Sequence, residues 1–252
     1  MRKKLIIGNW KMNLNMHEAS LYLHKLMHML PSYRNVDVVV APTTLTLQSL
    51  SLQVNRRIAK LAAQNCYWRD HGAYTGEIPA AHLRGIADYV LIGHSERRYI
   101  FIEQDKDIRL KVQAAIRNRI QPVLCIGETA QERALEETRD VLTDQLTNGL
   151  ANVTADEMDA LVIAYEPVWA IGTGDSAKPI DVKNATKIIR QHIVHMYGKT
   201  AAEAVRIIYG GSVTADNAAE YLSIPKLDGL LVGAASLNAQ QFMEIITKAH
   251  KE

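Results

Sequence analysis

Eight short apolar runs, rich in β-branched residues, recur from one end of this 252-residue chain to the other, at 5–10, 36–41, 58–64, 89–93, 121–126, 161–165, 206–210 and 229–233. Each is nearly continuous in hydrophobicity, the pattern of a parallel strand covered on both faces. Amphipathic stretches lie between them, for example at 108–119, 132–149 and 182–197. Strands alternating with helical patterns argue for βαβ units and a parallel sheet. Eight units leave about 31 residues each, near the minimum for such a motif. The length suits one α/β fold, a single (β/α)8 barrel spanning residues 1–252, and no linker or shift in composition marks a boundary within it. The competing architecture is an open doubly wound sheet, which calls for a Gly-rich dinucleotide fingerprint after the first strand. That position reads Gly8-Asn9-Trp10-Lys11 instead.

Charge narrows the partners. Lys and Arg number 29 against 27 Asp and Glu, for a formal charge of +2. So balanced a chain is not built for nucleic acid or an anionic membrane. The totals neither support nor exclude a small anionic substrate, which needs positive charge in one place. Cys66 and Cys125 have neither metal-type spacing nor a disulfide framework, and suit a reducing compartment. Residues 1–4 are basic, but three apolar residues come next, too few for a signal peptide, and no later run approaches a membrane span. A cytoplasmic protein is expected.

In barrels of this kind chemistry gathers at the C-terminal ends of the strands. Polar residues just beyond those ends are therefore the candidates. Glu166 directly follows Leu161-Val162-Ile163-Ala164-Tyr165, and a partly desolvated carboxylate there suits a general base. Taken alone it reads equally as a solvated loop residue. The residues beyond it are more specific: stiff, bulky Pro167-Val168-Trp169, then small, permissive Gly172-Thr173-Gly174. A rigid apolar tip ending in a flexible joint is what a closing lid requires.

His94 sits where the fourth run gives way to a helix, in Gly93-His94-Ser95-Glu96-Arg97-Arg98. A helix N-terminus disfavours imidazolium, leaving a neutral ring able to donate to a substrate carbonyl. The plainer reading is a structural histidine, with Ser95 as a helix cap and Arg97 and Arg98 paired to carboxylates such as Glu77 or Glu103. Lys11, beyond the first run, is either a surface lysine or an ammonium that attracts phosphate and stabilises an enediolate oxygen. Tyr209-Gly210-Gly211-Ser212 and Leu231-Val232-Gly233-Ala234 end the last two runs. Loops there commonly bind phosphate through backbone N–H groups, which glycine lets approach closely. The loop 65–79 is long and carries Tyr67, Trp68 and Tyr74. It is either a partner surface or an Ω-loop packed on itself.

Six of these stretches, in order from about residue 5 to residue 237, resemble the triosephosphate isomerase family: Gly8-Asn9-Trp10-Lys11-Met12-Asn13, the segment from Gly93 to Arg98, Cys125-Ile126-Gly127-Glu128, the segment from Ala164 to Gly174, Tyr209-Gly210-Gly211-Ser212 and Leu231-Val232-Gly233. The resemblance implies a TIM barrel that interconverts dihydroxyacetone phosphate and glyceraldehyde 3-phosphate without metal or cofactor. It implies Glu166 as the carbon acid's base, neutral His94 as electrophile, Lys11 as fixed charge, Asn9 as a positioning group and Glu96 as support. Gly172, Ser212, Gly233 and Ala234 would hold phosphate through their N–H groups, and residues 167–174 would close over the intermediate. A homodimer is also implied, with Thr75 reaching into the partner near Asn9 and Lys11. Two positions depart from the family pattern. Asp175 replaces the usual lysine at the lid's trailing hinge, and Ala234 replaces a common second glycine, which puts the phosphate distance in question. Two other readings stand beside this one: a Schiff-base aldolase of the phosphosugar barrels, needing an interior strand lysine, and a phosphate-ligand binding protein without turnover.

Overall fold

A computed structural model describes residues 2–31, 33–172 and 176–251. Among them eight parallel strands close into a barrel in sequence order. The strands are β1 (Lys4–Asn9), β2 (Val36–Ala41), β3 (Lys60–Ala63), β4 (Tyr89–Ile92), β5 (Gln121–Ile126), β6 (Val162–Tyr165), β7 (Arg206–Tyr209) and β8 (Gly229–Val232). Closure is made by β8 pairing with β1, with Leu5 opposite Gly229 and Gly8 opposite Val232. The connecting helices are α1 (Met16–Met29), α2 (Thr44–Ser51), α3 (Ala80–Leu83), α4 (Ser95–Tyr99), α5 (Asp105–Arg117), α6 (Ala130–Ala134), α7 (Thr138–Gly149), α8 (Pro179–Ala204), α9 (Ala218–Leu222) and α10 (Ala239–Lys251). No described helix is long and apolar enough to cross a membrane.

The predicted strands agree with the observed ones, and β2 and β5 match at both ends. Continuous hydrophobicity has the anticipated cause, because successive side chains enter two separate cores. Leu5, Ile7, Val39, Leu91, Val123 and Ile208 fill the barrel interior. Ile6, Val38, Val40, Val90, Leu124 and Ile207 pack outward against the helices. The helical readings need correction. The stretch 132–149 is two helices, because Glu136 adopts a left-handed backbone (φ +60°) between them. The stretch 182–197 extends to Pro179–Ala204, with Gly198 (φ +84°) interrupting the helical geometry.

The two mouths of the barrel differ. At the N-terminal mouth Arg206 spans the opening, 3.1 Å from Asp37 and donating to Tyr89 Oη at 2.9 Å and Gln121 Oε1 at 3.3 Å. That end is sealed by mutually satisfied polar groups. At the C-terminal mouth the β5 and β6 ends pass so closely that the Glu166 N–H donates to the Ile126 carbonyl at 2.7 Å. A Cβ on the next residue, Gly127, would stand 1.8 Å from the Glu166 carbonyl oxygen. Here glycine is a steric requirement, and it fixes where Glu166 leaves its strand.

Gly127→Ala is therefore expected to force these strand ends apart. The overpacking should cost about 1–3 kcal/mol or more, read as a lower urea midpoint. An unchanged midpoint would show that the crossing has slack.

Candidate active site

Each residue of the site is placed by the turn that ends its strand. Glu166, one residue beyond β6, is 1% exposed. Its Oε2 accepts from the Ser95 N–H at 3.0 Å. Its Oε1 lies 3.3 Å from His94 Nε2 but is out of line for a hydrogen bond, and has no hydrogen-bond partner among the described residues. One carboxylate oxygen is thus anchored and the other left reactive.

His94 is the N-cap of α4, and its Nδ1 accepts from the Glu96 N–H at 3.2 Å. A nitrogen that accepts carries no hydrogen, so in the neutral ring the proton sits on Nε2, facing Glu166. The turn that delivers His94 depends on Gly93 (φ +70°), whose carbonyl accepts from Arg98 Nε at 2.8 Å. Arg98 also donates to the Cys125 carbonyl at 3.2 Å, tying the β4 and β5 ends together. Its carboxylate partner is Asp105 at 2.7 Å, whereas Arg97 lies 3.4 Å from Glu103 as expected. Both arginines thus pair with carboxylates, Arg98 with an acid of the first turn of α5 in place of Glu77 or Glu103.

Lys11 has a left-handed backbone (φ +51°), a conformation that costs of order 1–3 kcal/mol where its surroundings hold it. Its N–H donates to Asn9 Oδ1 at 3.1 Å, and its carbonyl accepts from Gln64 Nε2 at 2.9 Å. Its ammonium then reaches Glu96 Oε1 at 2.6 Å.

Asn9, Lys11, His94 and Glu166 line one cavity of about 380 Å³ together with Gly172, Gly210, Gly211, Ser212, Gly233 and Ala234. Glu96 does not line it and is linked to it through Lys11. Ala234 is exposed and opens a short 3₁₀ turn, Ala234–Leu237, pinned where Ser236 N and Oγ donate to the Gly233 carbonyl at 2.8 and 2.7 Å. The methyl is accommodated there without burial. Of the expected lid, Thr173, Gly174 and the departing Asp175 lie outside the described residues. Thr75 stands away from the cavity, exposed at the tip of the loop 65–79. The rings of that loop stack on one another, Tyr67 with Trp68 at 4.0 Å and with Tyr74 at 4.7 Å, so the Ω-loop reading holds for its body.

Three contributors are not legible in the sequence as parts of the site: the Ser95 amide, Gln64, and Glu128. Glu128 is fully buried and accepts from Trp169 Nε1 at 2.8 Å and Tyr165 Oη at 3.1 Å. Burial raises its carboxyl above the usual range, opposed chiefly by the Trp169 bond. The Arg133 guanidinium covers the Trp169 ring at 4.1 Å and pairs with Asp181 at 3.2 Å. The first arm of the expected lid is thereby fastened to the barrel. An acid two residues beyond the fifth apolar run was the available signal.

With this geometry in place, residues 4–249 match the family model for triosephosphate isomerase. The chain belongs to the triosephosphate isomerase family. Curated relatives named triosephosphate isomerase include one from Chloroherpeton thalassium, 43% identical over 251 residues, covering 99% of this chain and all of the relative. Another, from Streptococcus mutans, is 42% identical over 97% of this chain and 98% of its own length. A third, from Alkaliphilus metalliredigens, is 42% identical over 98% and 99% respectively. As a member of the triosephosphate isomerase family the chain is an isomerase.

The triosephosphate isomerase site includes one further close approach. A Cβ at Gly210 would stand 2.9 Å from Glu166 Cγ. Gly210→Ala should push the carboxylate towards the cavity and lower kcat by about 10- to 100-fold, with a smaller effect on melting temperature. Wild-type kcat in a folded variant would show that Glu166 tolerates displacement.

Proposed function

We propose that the enzyme interconverts dihydroxyacetone phosphate and D-glyceraldehyde 3-phosphate through an enediolate, with Glu166 as base and His94 as electrophile. The observation that carries this reading is the 3.3 Å approach of His94 Nε2 to the unbonded Glu166 oxygen over one cavity. Glu166 Oε1 takes the proton from carbon 1 of dihydroxyacetone phosphate. The C–H electron pair forms the carbon–carbon double bond as the carbonyl pair moves onto oxygen. His94 Nε2–H donates to that oxygen and relays protons between the two oxygens. Glu166 then returns a proton to carbon 2. A neutral imidazole donates without first giving up a charge.

Lys11 supplies fixed positive charge for the phosphate and the enediolate oxygen. Glu96 holds its ammonium and Asn9 its backbone, while Asn9 also positions substrate. N–H groups of Gly172, Ser212, Gly233 and Ala234 take the phosphate oxygens. Residues 167–174 close over the intermediate, since an enediol phosphate exposed to water expels phosphate. The scheme uses no metal or cofactor. The aldolase reading is disfavoured by the strands themselves: their lysines, Lys4 and Lys60, are the first residues of β1 and β3, at the opposite mouth. A binding protein without turnover would bind the triose phosphate and leave it unchanged.

We further propose a homodimer. Met12 is 93% exposed and Leu45 84%, with Phe101 and Ile102 also bare, an apolar surface that a partner would cover. Thr75 would enter the partner near Asn9 and Lys11. Free, buried Cys66 and Cys125 fit a reducing, cytoplasmic setting.

A coupled assay with glyceraldehyde 3-phosphate, without added metal, tests turnover. Glu166→Asp, which withdraws the carboxylate by one methylene, should lower kcat by about 100-fold or more at unchanged melting temperature. Near-normal turnover would exclude Glu166 as base. In sedimentation equilibrium the wild type should be a dimer and Thr75→Arg largely monomeric. A Thr75→Arg dimer of wild-type affinity would remove the loop 65–79 from the interface.

A further inference from the structure

The outer face of α1 carries chemistry that the isomerisation does not use. His24 and His28 are four residues apart on this helix and both exposed. That spacing brings Cβ atoms to about 5–6 Å on one helix face. Their rings have already met, with centroids 4.2 Å apart and planes inclined by 51°. His28 Nδ1 lies 2.9 Å from the His24 carbonyl oxygen. A carbonyl can only accept, so Nδ1 bears the hydrogen and Nε2 keeps its lone pair. Metal-bound imidazoles show this arrangement, in which the bond at one nitrogen fixes the tautomer and orients the other. His28 is also in the last turn of α1, where the helix dipole favours a cation.

We propose that His24 and His28 form a two-imidazole chelate for a divalent transition metal, with copper(II) the tightest of the first row. Imidazole nitrogens suit copper, nickel and zinc, and affinity peaks at copper. In the proposed chelate His28 Nε2 and one ring nitrogen of His24 would share the ion at the about 2.0–2.1 Å usual for such bonds. Among the described residues no group of three or more His, Cys, Asp or Glu is gathered for a metal, so solvent completes the coordination. The site is an exposed chelate, far in kind from an enclosed structural centre. A second histidine pair, His192 and His195, serves as an internal control. Its ring centroids are 6.3 Å apart, and His192 Nε2 is hydrogen-bonded to Thr147 Oγ1 at 2.9 Å.

The experiment is calorimetric titration of the untagged full-length enzyme with copper(II) in a weakly coordinating buffer at mildly alkaline pH, with electron paramagnetic resonance of the product. Wild type should bind one tight copper per chain with a two-nitrogen hyperfine pattern. Losing a ligand should cost no less than losing a ligand's outer partner, about 10- to 100-fold in affinity. His24→Gln and His28→Gln should each show that loss, with kcat unchanged, while His192→Gln binds as wild type. Zinc(II) should bind at the same place more weakly. Wild-type affinity in His24→Gln or His28→Gln, or a loss confined to His192→Gln, would overturn the proposal. Failure here leaves the reading of Glu166 and His94 untouched, because none of these variants lies in the cavity.

Discussion

Closure of β8 onto β1 is the constraint on which the rest depends. Lys11 lies just beyond the first strand and Gly233 ends the last, more than two hundred residues apart in sequence. In an open sheet they would stand at opposite edges. Four ladder pairs between β1 and β8 make them neighbours, so that a Cβ on Gly233 would be 3.9 Å from Lys11 Cε. Parallel direction does the remainder, because every strand then delivers its C-terminal residue to the same mouth. The site is assembled by topology before any side chain makes a specific contact.

The barrel also explains how polar groups at two ends can differ in purpose. At the N-terminal mouth Arg206, Asp37, Tyr89 and Gln121 satisfy one another, which suits a cap on an apolar interior. At the C-terminal mouth satisfaction is uneven. Glu166 is held at Oε2 with Oε1 unbonded and His94 is held at Nδ1 with Nε2 facing it, while Lys11 is held through its backbone and at its ammonium by Glu96. An unpaired buried acceptor is destabilising in isolation. Here it is retained beside the cavity in which a substrate would complete it.

The strands are readable in the sequence because two cores demand apolar residues at every position, a pattern that survives without knowledge of neighbours. Glu166, His94 and Lys11 are readable for a related reason, each standing just beyond such a run. The hidden features involve partners remote in sequence or backbone atoms. Nothing local announces that the amide of Ser95, read as a helix cap, will hold the carboxylate of Glu166 just beyond β6. Arg98 has several acids within reach along the chain, and only the fold selects Asp105. The break at Glu136 is likewise invisible to periodicity, since α6 buries none of its residues and offers no apolar face to set against that of α7. Amphipathic pattern reports which face is buried, and it is silent about whether the axis continues.

Glu128 shows how the fixed and moving parts of such a site can be separated. The proposed lid closure would need a segment that changes position while Glu166 at its root changes little. Pro167 and Trp169 immediately follow Glu166, so motion in them would be transmitted to the carboxylate unless something absorbed it. Trp169 is bonded through Nε1 to a fully buried carboxylate and covered by Arg133, which is itself tied to α8 at Asp181. Gly172 has φ +73°, and a Cβ there would meet nothing within 4 Å among the described residues. The described fastening is therefore concentrated at Trp169, three residues from Glu166. Releasing Trp169 would leave Glu128 buried with one fewer donor, a desolvation cost that favours keeping the first arm in place.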